Sequence, residues 1–192
     1  MLGGADDIAD IIDTLNKNNI KATFFVVGDW VKKNPEAVRK LNEAKMEIGN
    51  HSLSHKAVSK MSYEQNIEDM KKCNDLITEI TGKPVKYYRG PSGEYSNAVI
   101  QAAQTHNMQV IQWNADSLDY KGLTPDEMWS RIKKRLINGS IILMHNDTKY
   151  TATGLQQIID NIRNEGYEFV SLDELIYTEN YEINHEGRQI KK

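Results

Sequence analysis

A single cysteine, Cys73, occurs in 192 residues, which excludes an internal disulfide and leaves the redox compartment open. It falls inside a helical pattern and reads as a half-buried helix residue. No apolar run approaches the ~20 residues that a membrane-spanning helix requires, and the N-terminal stretch MLGGADD lacks the basic and apolar regions of a signal peptide. An excess of one charge is missing too: the net charge is -3, with Lys and Arg scattered along the chain. That leaves no electrostatic footprint for nucleic acid or for an anionic membrane. Pro/Gly/Ser-rich linkers and internal repeats are absent, and 39% hydrophobic residues are enough for one domain with a substantial core.

What the chain does contain is an alternation of short β-like runs with amphipathic helical patterns. Ile8, Ile11, Ile12 and Leu15 mark one helix face, and KATFFVVG (21–28) reads as a buried strand. Asn34 with Pro35 predicts a helix start. MEIGN (46–50) reads as a strand, and Ser62 with Gln65 as a capping box opening a helix to about Thr81. VKYYR (85–89), MQVIQW (108–113), SIILMH (140–145) and YEFVSL (167–172) are further strand candidates. Between them lie helices from about Asn97, from the cap Thr124-Pro125-Glu127, and from about Thr153 to Asn164. The tail after Tyr177 is polar. Repeated βα units of this length favour a parallel sheet or barrel.

Polar residues collect where these strands end. His51 and His55, in NHSLSH (50–55), are two of five histidines; four residues apart, they suit one cation or an ordinary surface loop. Arg89 opens RGPSG, a rigid turn with exposed backbone N–H groups, and its guanidinium suits a bidentate carboxylate. Asp116 and Asp119, in ADSLDY, are turn formers or functional carboxylates. His145 ends the apolar run IILM, where an ionisable ring is either a satisfied core histidine or a catalytic one. In α/β barrels the C-terminal ends of the strands converge on one mouth, so these four places can share a site.

Taken in order, KATFFVVGDWVKKNP, EIGNHSLSH, YYRGPSG, WNADSLDY and ILMH resemble the polysaccharide deacetylases, the NodB-homology domain of carbohydrate esterase family 4. The resemblance runs from residue 4 to about 177. It implies an α/β fold, a distorted (β/α) barrel of about seven units without its first strand, over residues 1–178, followed by a polar tail over 179–192. The implied activity is metal-dependent hydrolysis of N-acetyl groups from peptidoglycan or a chitin-type oligosaccharide, releasing acetate. An acetyl-ester (xylan) deacetylase and a catalytically impaired glycan-binding or scaffold domain are the alternatives.

The resemblance also assigns roles. His51 and His55 hold a divalent metal, Zn most naturally, with Co or Ni also suited. His145 is the general acid, oriented by Asp119, since a carboxylate neighbour favours a charged imidazole. Arg89 holds the catalytic base, the backbone N–H of Ser92 binds the oxyanion, and Leu143 lines the acetyl pocket with Trp113 nearby. Two positions depart from the family: Tyr120 stands where Trp is usual, and Ser92 where Tyr or Phe is usual. The family's first motif, an FDD-like segment that supplies the base and third ligand, falls where the chain begins, with the metal-binding aspartate at Met1 and the base upstream. Asp6 and Asp7 are the nearest carboxylates, and both also read as first-turn helix acids favoured by the helix dipole. The full gene product is therefore expected to carry an export segment and a first strand, and to act outside the cytoplasm. The chain as it stands is expected to self-associate through an open sheet edge.

Overall fold

A computed structural model describes residues 3–192. The expected metal ligand at Met1 lies outside the described residues. The chain begins with helix α1 (Ile8–Lys17), whose Ile8, Ile11, Ile12 and Leu15 are all buried. Burying side chains of this kind stabilises by about 1.5–3 kcal/mol each, so the predicted apolar stripe is what docks the helix. Strand β1 (Thr23–Val26) follows, then α2 (Gly28–Lys33), α3 (Pro35–Glu43) and β2 (Glu47–Asn50). Helix α4 (Tyr63–Thr81) starts at the Ser62/Gln65 capping box, with both reciprocal hydrogen bonds formed, and stops at Gly82, whose φ of 67° favours glycine. Beyond it come β3 (Tyr87–Tyr88), α5 (Asn97–Thr105), β4 (Gln109–Val110), β5 (Ala115–Asp116), α6 (Pro125–Lys133), β6 (Ile142–Leu143), α7 (Thr151–Asn164), α8 (Leu172–Leu175), and a hairpin of β7 (Tyr181–Ile183) and β8 (Gln189–Lys191).

The first four strands form one parallel sheet in the order β1-β2-β3-β4, and β5 pairs with β6, also in parallel. The fold is α/β with parallel strands, as expected. Among the described residues the ladder runs in two pieces and does not close into a barrel. Four local expectations need correction. The run 21–28 is a strand only to Val26, because Gly28 already begins α2. Residues 167–172 form no strand; Phe169 packs on the main core and Leu172 with Phe25, Tyr87 and Ile111, while Val170 is exposed, and no ladder runs beside them among the described residues. The polar tail folds into the antiparallel β7-β8 hairpin. Cys73 is fully buried rather than half-buried, and burial pushes its thiol up to about 12.

A cavity of about 980 Å³ lies against β1, α1 and α7. Its floor is apolar, with Leu15, Leu155 and Ile158, and it reaches the ends of β2, β3 and β6.

Candidate active site

The histidine loop is wound by residues that the sequence reading did not single out. Asn50, fully buried at the end of β2, accepts the Ser52 N–H on Oδ1 at 2.8 Å and donates from Nδ2 to the Met70 carbonyl and to Asn74. Ser52 Oγ accepts the His55 N–H at 2.9 Å, and Asp69 accepts the Leu53 N–H at 3.0 Å. Ser52 and His55 both take positive φ, 66° and 55°, so the chain turns tightly and the two rings meet edge to face, 5.1 Å between centroids. An Asn two residues ahead of a loop serine was the available signal, because Asx side chains fold back on the N–H two positions on.

His51 Nδ1 lies 2.6 Å from the Arg89 carbonyl. A carbonyl only accepts, so Nδ1 carries the proton and Nε2 keeps its lone pair. Burial pushes the ring down to about 3, and burial also lowers His55, which holds both in the neutral form that binds metals. The pair fits two nitrogen ligands of a divalent transition metal. Among the described residues, no third His, Cys, Asp or Glu completes a metal-binding group.

Arg89 is buried beside them. Its Nε and Nη2 donate to the Ile111 and Gln112 carbonyls at 3.0 and 3.1 Å, and its guanidinium lies 4.2 Å from the Phe25 ring centre and 5.3 Å from that of Trp113. Burial lowers it to about 10, and no carboxylate pairs with it among the described residues. The following PSG segment is a single 3₁₀ turn in which Ser92 has φ of 54° and stays exposed. Both flanking glycines are sterically required. A Cβ on Gly90 would meet the Glu94 carbonyl oxygen at 1.9 Å, and one on Gly93, at φ of 74°, would meet Trp113 at 2.8 Å.

The two aspartates of ADSLDY divide the roles that the sequence left open. Asp116 Oδ1 accepts the Leu118 N–H at 2.9 Å and is a turn former. Asp119, with no exposed side-chain surface, takes His145: Oδ2 accepts the His145 N–H at 2.5 Å, and Oδ1 lies 2.7 Å from His145 Nδ1. Thr151 donates its hydroxyl to Oδ2 at 2.7 Å, and the Tyr120 N–H reaches Oδ1 at 2.9 Å. Burial alone would raise the Asp119 carboxyl, but the hydrogen bonds from His145 and Thr151 outweigh it and hold the group below the usual carboxylate range. Tyr120 stands edge-on to the His145 ring at 5.2 Å.

His51, His55, Arg89, Ser92, Trp113, Leu143 and His145 all line the one cavity, and Asp119 joins it through His145. Asp6 is exposed, whereas Asp7 stands at the N-cap of α1 without a side-chain capping bond and meets neither histidine in a hydrogen bond; its Oδ2 accepts the Asp147 N–H at 2.8 Å. Thr151, Asn146 and Asp147 were not foreseen.

The family model described as Polysaccharide deacetylase matches residues 3–111. Over 173 residues, 90% of this chain, the sequence is 33% identical to "Uncharacterized protein YlxY" of Bacillus subtilis, of which 54% is covered. It is 32% identical to the peptidoglycan-N-acetylglucosamine deacetylase PgdA of Listeria monocytogenes over 90% of this chain and 36% of that protein. The chain thus spans about half or less of the length of these relatives. Among solved structures, the wild-type CE4 family pseudoenzyme BA3943 from Bacillus anthracis superposes with a TM-score of 0.87 at 31% identity, covering 91% of this chain and 62% of that one. The Bc1960 peptidoglycan N-acetylglucosamine deacetylase gives 0.84 at 28% identity, covering 88% and 81%. The family match takes in more than half of the sequence, and likenesses in sequence and in structure agree with it: this chain belongs to the polysaccharide deacetylase family, carbohydrate esterase family 4.

Proposed function

We propose that the chain hydrolyses N-acetyl groups of a cell-wall glycan, peptidoglycan or a chitin-type oligosaccharide, outside the cytoplasm, releasing acetate. The observation that carries this reading is the His145–Asp119 pair on the wall of a cavity that also presents two neutral imidazoles and a buried guanidinium. Amides leave poorly as anions, so the amine must be protonated as the C–N bond breaks. His145 is placed to donate that proton from Nε2, because Asp119 engages Nδ1. The Ser92 N–H offers a donor to the oxyanion that forms on the acetyl oxygen, and Leu143 lines the acetyl pocket with Trp113 nearby. Arg89, which has no carboxylate partner among the described residues, is suited to orient a carboxylate that would take the proton from the attacking water. His51 and His55 would hold a divalent ion, Zn or else Co or Ni, which would supply Lewis-acid polarisation of the carbonyl and acidification of water.

The second reading, a domain that binds glycan without turning it over, is favoured by the likeness to the pseudoenzyme BA3943. Acetate release from peptidoglycan and from N-acetylglucosamine oligomers, in the presence of Zn²⁺, separates the two. The hydrolase reading expects turnover that chelator abolishes and that His145→Ala reduces on the order of 10²–10⁴-fold. Saturable glycan binding with no acetate release supports the binding domain instead.

A further inference from the structure

The backbone just beyond His145 is fastened to the segment that leads into α1, and nothing in the roles assigned above uses that contact. Gly4 is gripped on both sides: its N–H donates to Asp147 Oδ2 at 2.5 Å, and its carbonyl accepts from Asn146 Nδ2 at 2.6 Å. The Asp147 N–H donates in return to Asp7 Oδ2 at 2.8 Å. The segment is itself anchored, since the buried Trp30 donates its indole N–H to the Gly3 carbonyl at 2.8 Å. The approach is close enough to need glycine, because a Cβ on Gly3 would lie 2.3 Å from Asp147 Oδ2. Asp147 sits at φ of 54°, a left-handed conformation that Asp and Asn visit more readily than other side chains but that still requires local support.

The loop needs such support. The His145 side chain is 39% exposed, and its partners are Asp119 on one nitrogen and the edge of Tyr120. Packing alone therefore leaves the ring loosely held, and its direction depends on the backbone of residues 145–147. Asp119 fixes that backbone at the His145 N–H, while the Gly4 and Asp7 contacts fix the next two residues. Thr148 and Thr151 close the far side, Thr148 donating to Thr151 and Thr151 to Asp119.

We propose that Asn146 and Asp147 are positioning residues: by clasping the Gly3–Asp7 segment they hold His145 in line with the cavity. This rests on the deacetylase reading only in taking His145 as the acid. A purely structural tether would change stability and nothing else. The clasp differs in that loosening it lowers kcat while leaving KM nearly unchanged, because misplacing an acid by about 1 Å can slow a reaction up to 10²-fold without touching substrate binding.

The test uses the full chain with Zn²⁺ and three variants. Asp147→Gly keeps the positive φ and removes the carboxylate; Asn146→Ala removes the other half of the grip; Asp147→Asn keeps both the backbone preference and an acceptor oxygen. Acetate release from N-acetylglucosamine oligomers gives kcat and KM, and ¹H–¹⁵N NMR of the imidazole reports the His145 Nδ1–H in its bond to Asp119. Asp147→Gly and Asn146→Ala are expected to lower kcat on the order of tenfold at constant KM, and to shift or broaden the Nδ1–H signal. Asp147→Asn is expected to recover most of both. Unchanged kcat and an unchanged signal in the first two variants would overturn the proposal, as would Asp147→Asn behaving like Asp147→Gly. If the parent chain releases no acetate, the deacetylase reading fails, and the NMR signal alone decides whether the clasp sets the ring.

Discussion

Replacing Asp119 by Asn preserves shape and removes one acceptor, so it isolates what the carboxylate does for His145. Four donors converge on the two oxygens: the His145 N–H and the Thr151 hydroxyl on Oδ2, and His145 Nδ1–H and the Tyr120 N–H on Oδ1. Asn keeps one oxygen and turns the other into a donor. If Nδ2 takes the Oδ2 place, the Thr151 hydroxyl can rotate but the His145 N–H is left facing another donor. With the opposite orientation, the Tyr120 N–H is orphaned and His145 must switch tautomer to accept. Either way one buried N–H loses its partner, at about 1–3 kcal/mol, and a charge-assisted bond weakens by a further ~1.5–3 kcal/mol. The sum, about 2.5–6 kcal/mol, brackets the about 3–5 kcal/mol that breaking a buried pair usually costs.

Urea denaturation of the two proteins measures this directly, and pH adds a sign. The folded Asp119 carboxyl is held below its ordinary value, so its contribution is fully present above the unfolded carboxyl value of about 3.9 and is lost as pH falls through the lower folded one. The Asp119 contribution to the stability difference between parent and Asp119→Asn should therefore shrink as pH falls below about 4. Thr151→Val, which removes one donor and leaves the contact between Asp119 and His145, should lose only about 1 kcal/mol. On the deacetylase reading, kcat of Asp119→Asn falls on the order of 10²–10⁴-fold. A variant within ~1 kcal/mol of the parent and close to it in rate would refute the idea that this carboxylate organises His145.

Three other outcomes are expected. Calorimetric titration with Zn²⁺ should show binding that His55→Ala abolishes; equal binding by the His51→Ala/His55→Ala double variant would move the metal elsewhere. Gly93→Ala, which forces a side chain onto a left-handed backbone and against Trp113, should lower stability by about 1–3 kcal/mol, and an unchanged urea midpoint would contradict the tight-turn account. Because β1 is an outer strand of its sheet among the described residues, sedimentation at rising concentration should reveal self-association; a monomer at every concentration would refute it.

How much of this was legible in the sequence depended on whether a signal was local. Capping boxes at Ser62/Gln65 and Thr124/Glu127 are complete within four residues, and both form as written. The same holds for Pro35 in the first turn of α3 and for the buried stripe of α1. Helix α2 escaped because it is six residues long, follows β1 almost directly, and has no side-chain cap at Val27. Strand lengths were overread. A run such as SIILMH records burial, whereas a strand also requires a hydrogen-bonded neighbour, and only Ile142 and Leu143 have one. YEFVSL shows the same confusion in full.

The site was legible by motif order but not by its supports. Taken singly, His51, His55, Arg89, Asp119 and His145 each have an ordinary reading, and only their order in the motifs that resemble the family draws them together. The groups that aim them are ordinary Asn, Ser, Thr and Gly residues, recruited across separations that no local pattern encodes: Asn50 to Asn74, Asp119 to Thr151, and Gly4 to Asp147.

That division bears on how a single fold can accommodate both an active deacetylase and a pseudoenzyme. The histidine loop is shaped by Asn50, Ser52 and Asp69, and His145 is held by Asp119, itself bonded by Thr151. These are two separately supported half-sites, and neither relies on the carboxylate that would take the proton from water. Overall likeness to BA3943 and to Bc1960 is nearly equal, 0.87 against 0.84. Fold similarity is therefore uninformative about turnover in this family. A guanidinium that lies between two aromatic rings and bonds only to backbone carbonyls among the described residues is held ready for an anion whether or not a reaction follows. Measured turnover, and not a closer superposition, is the observable that distinguishes the two states.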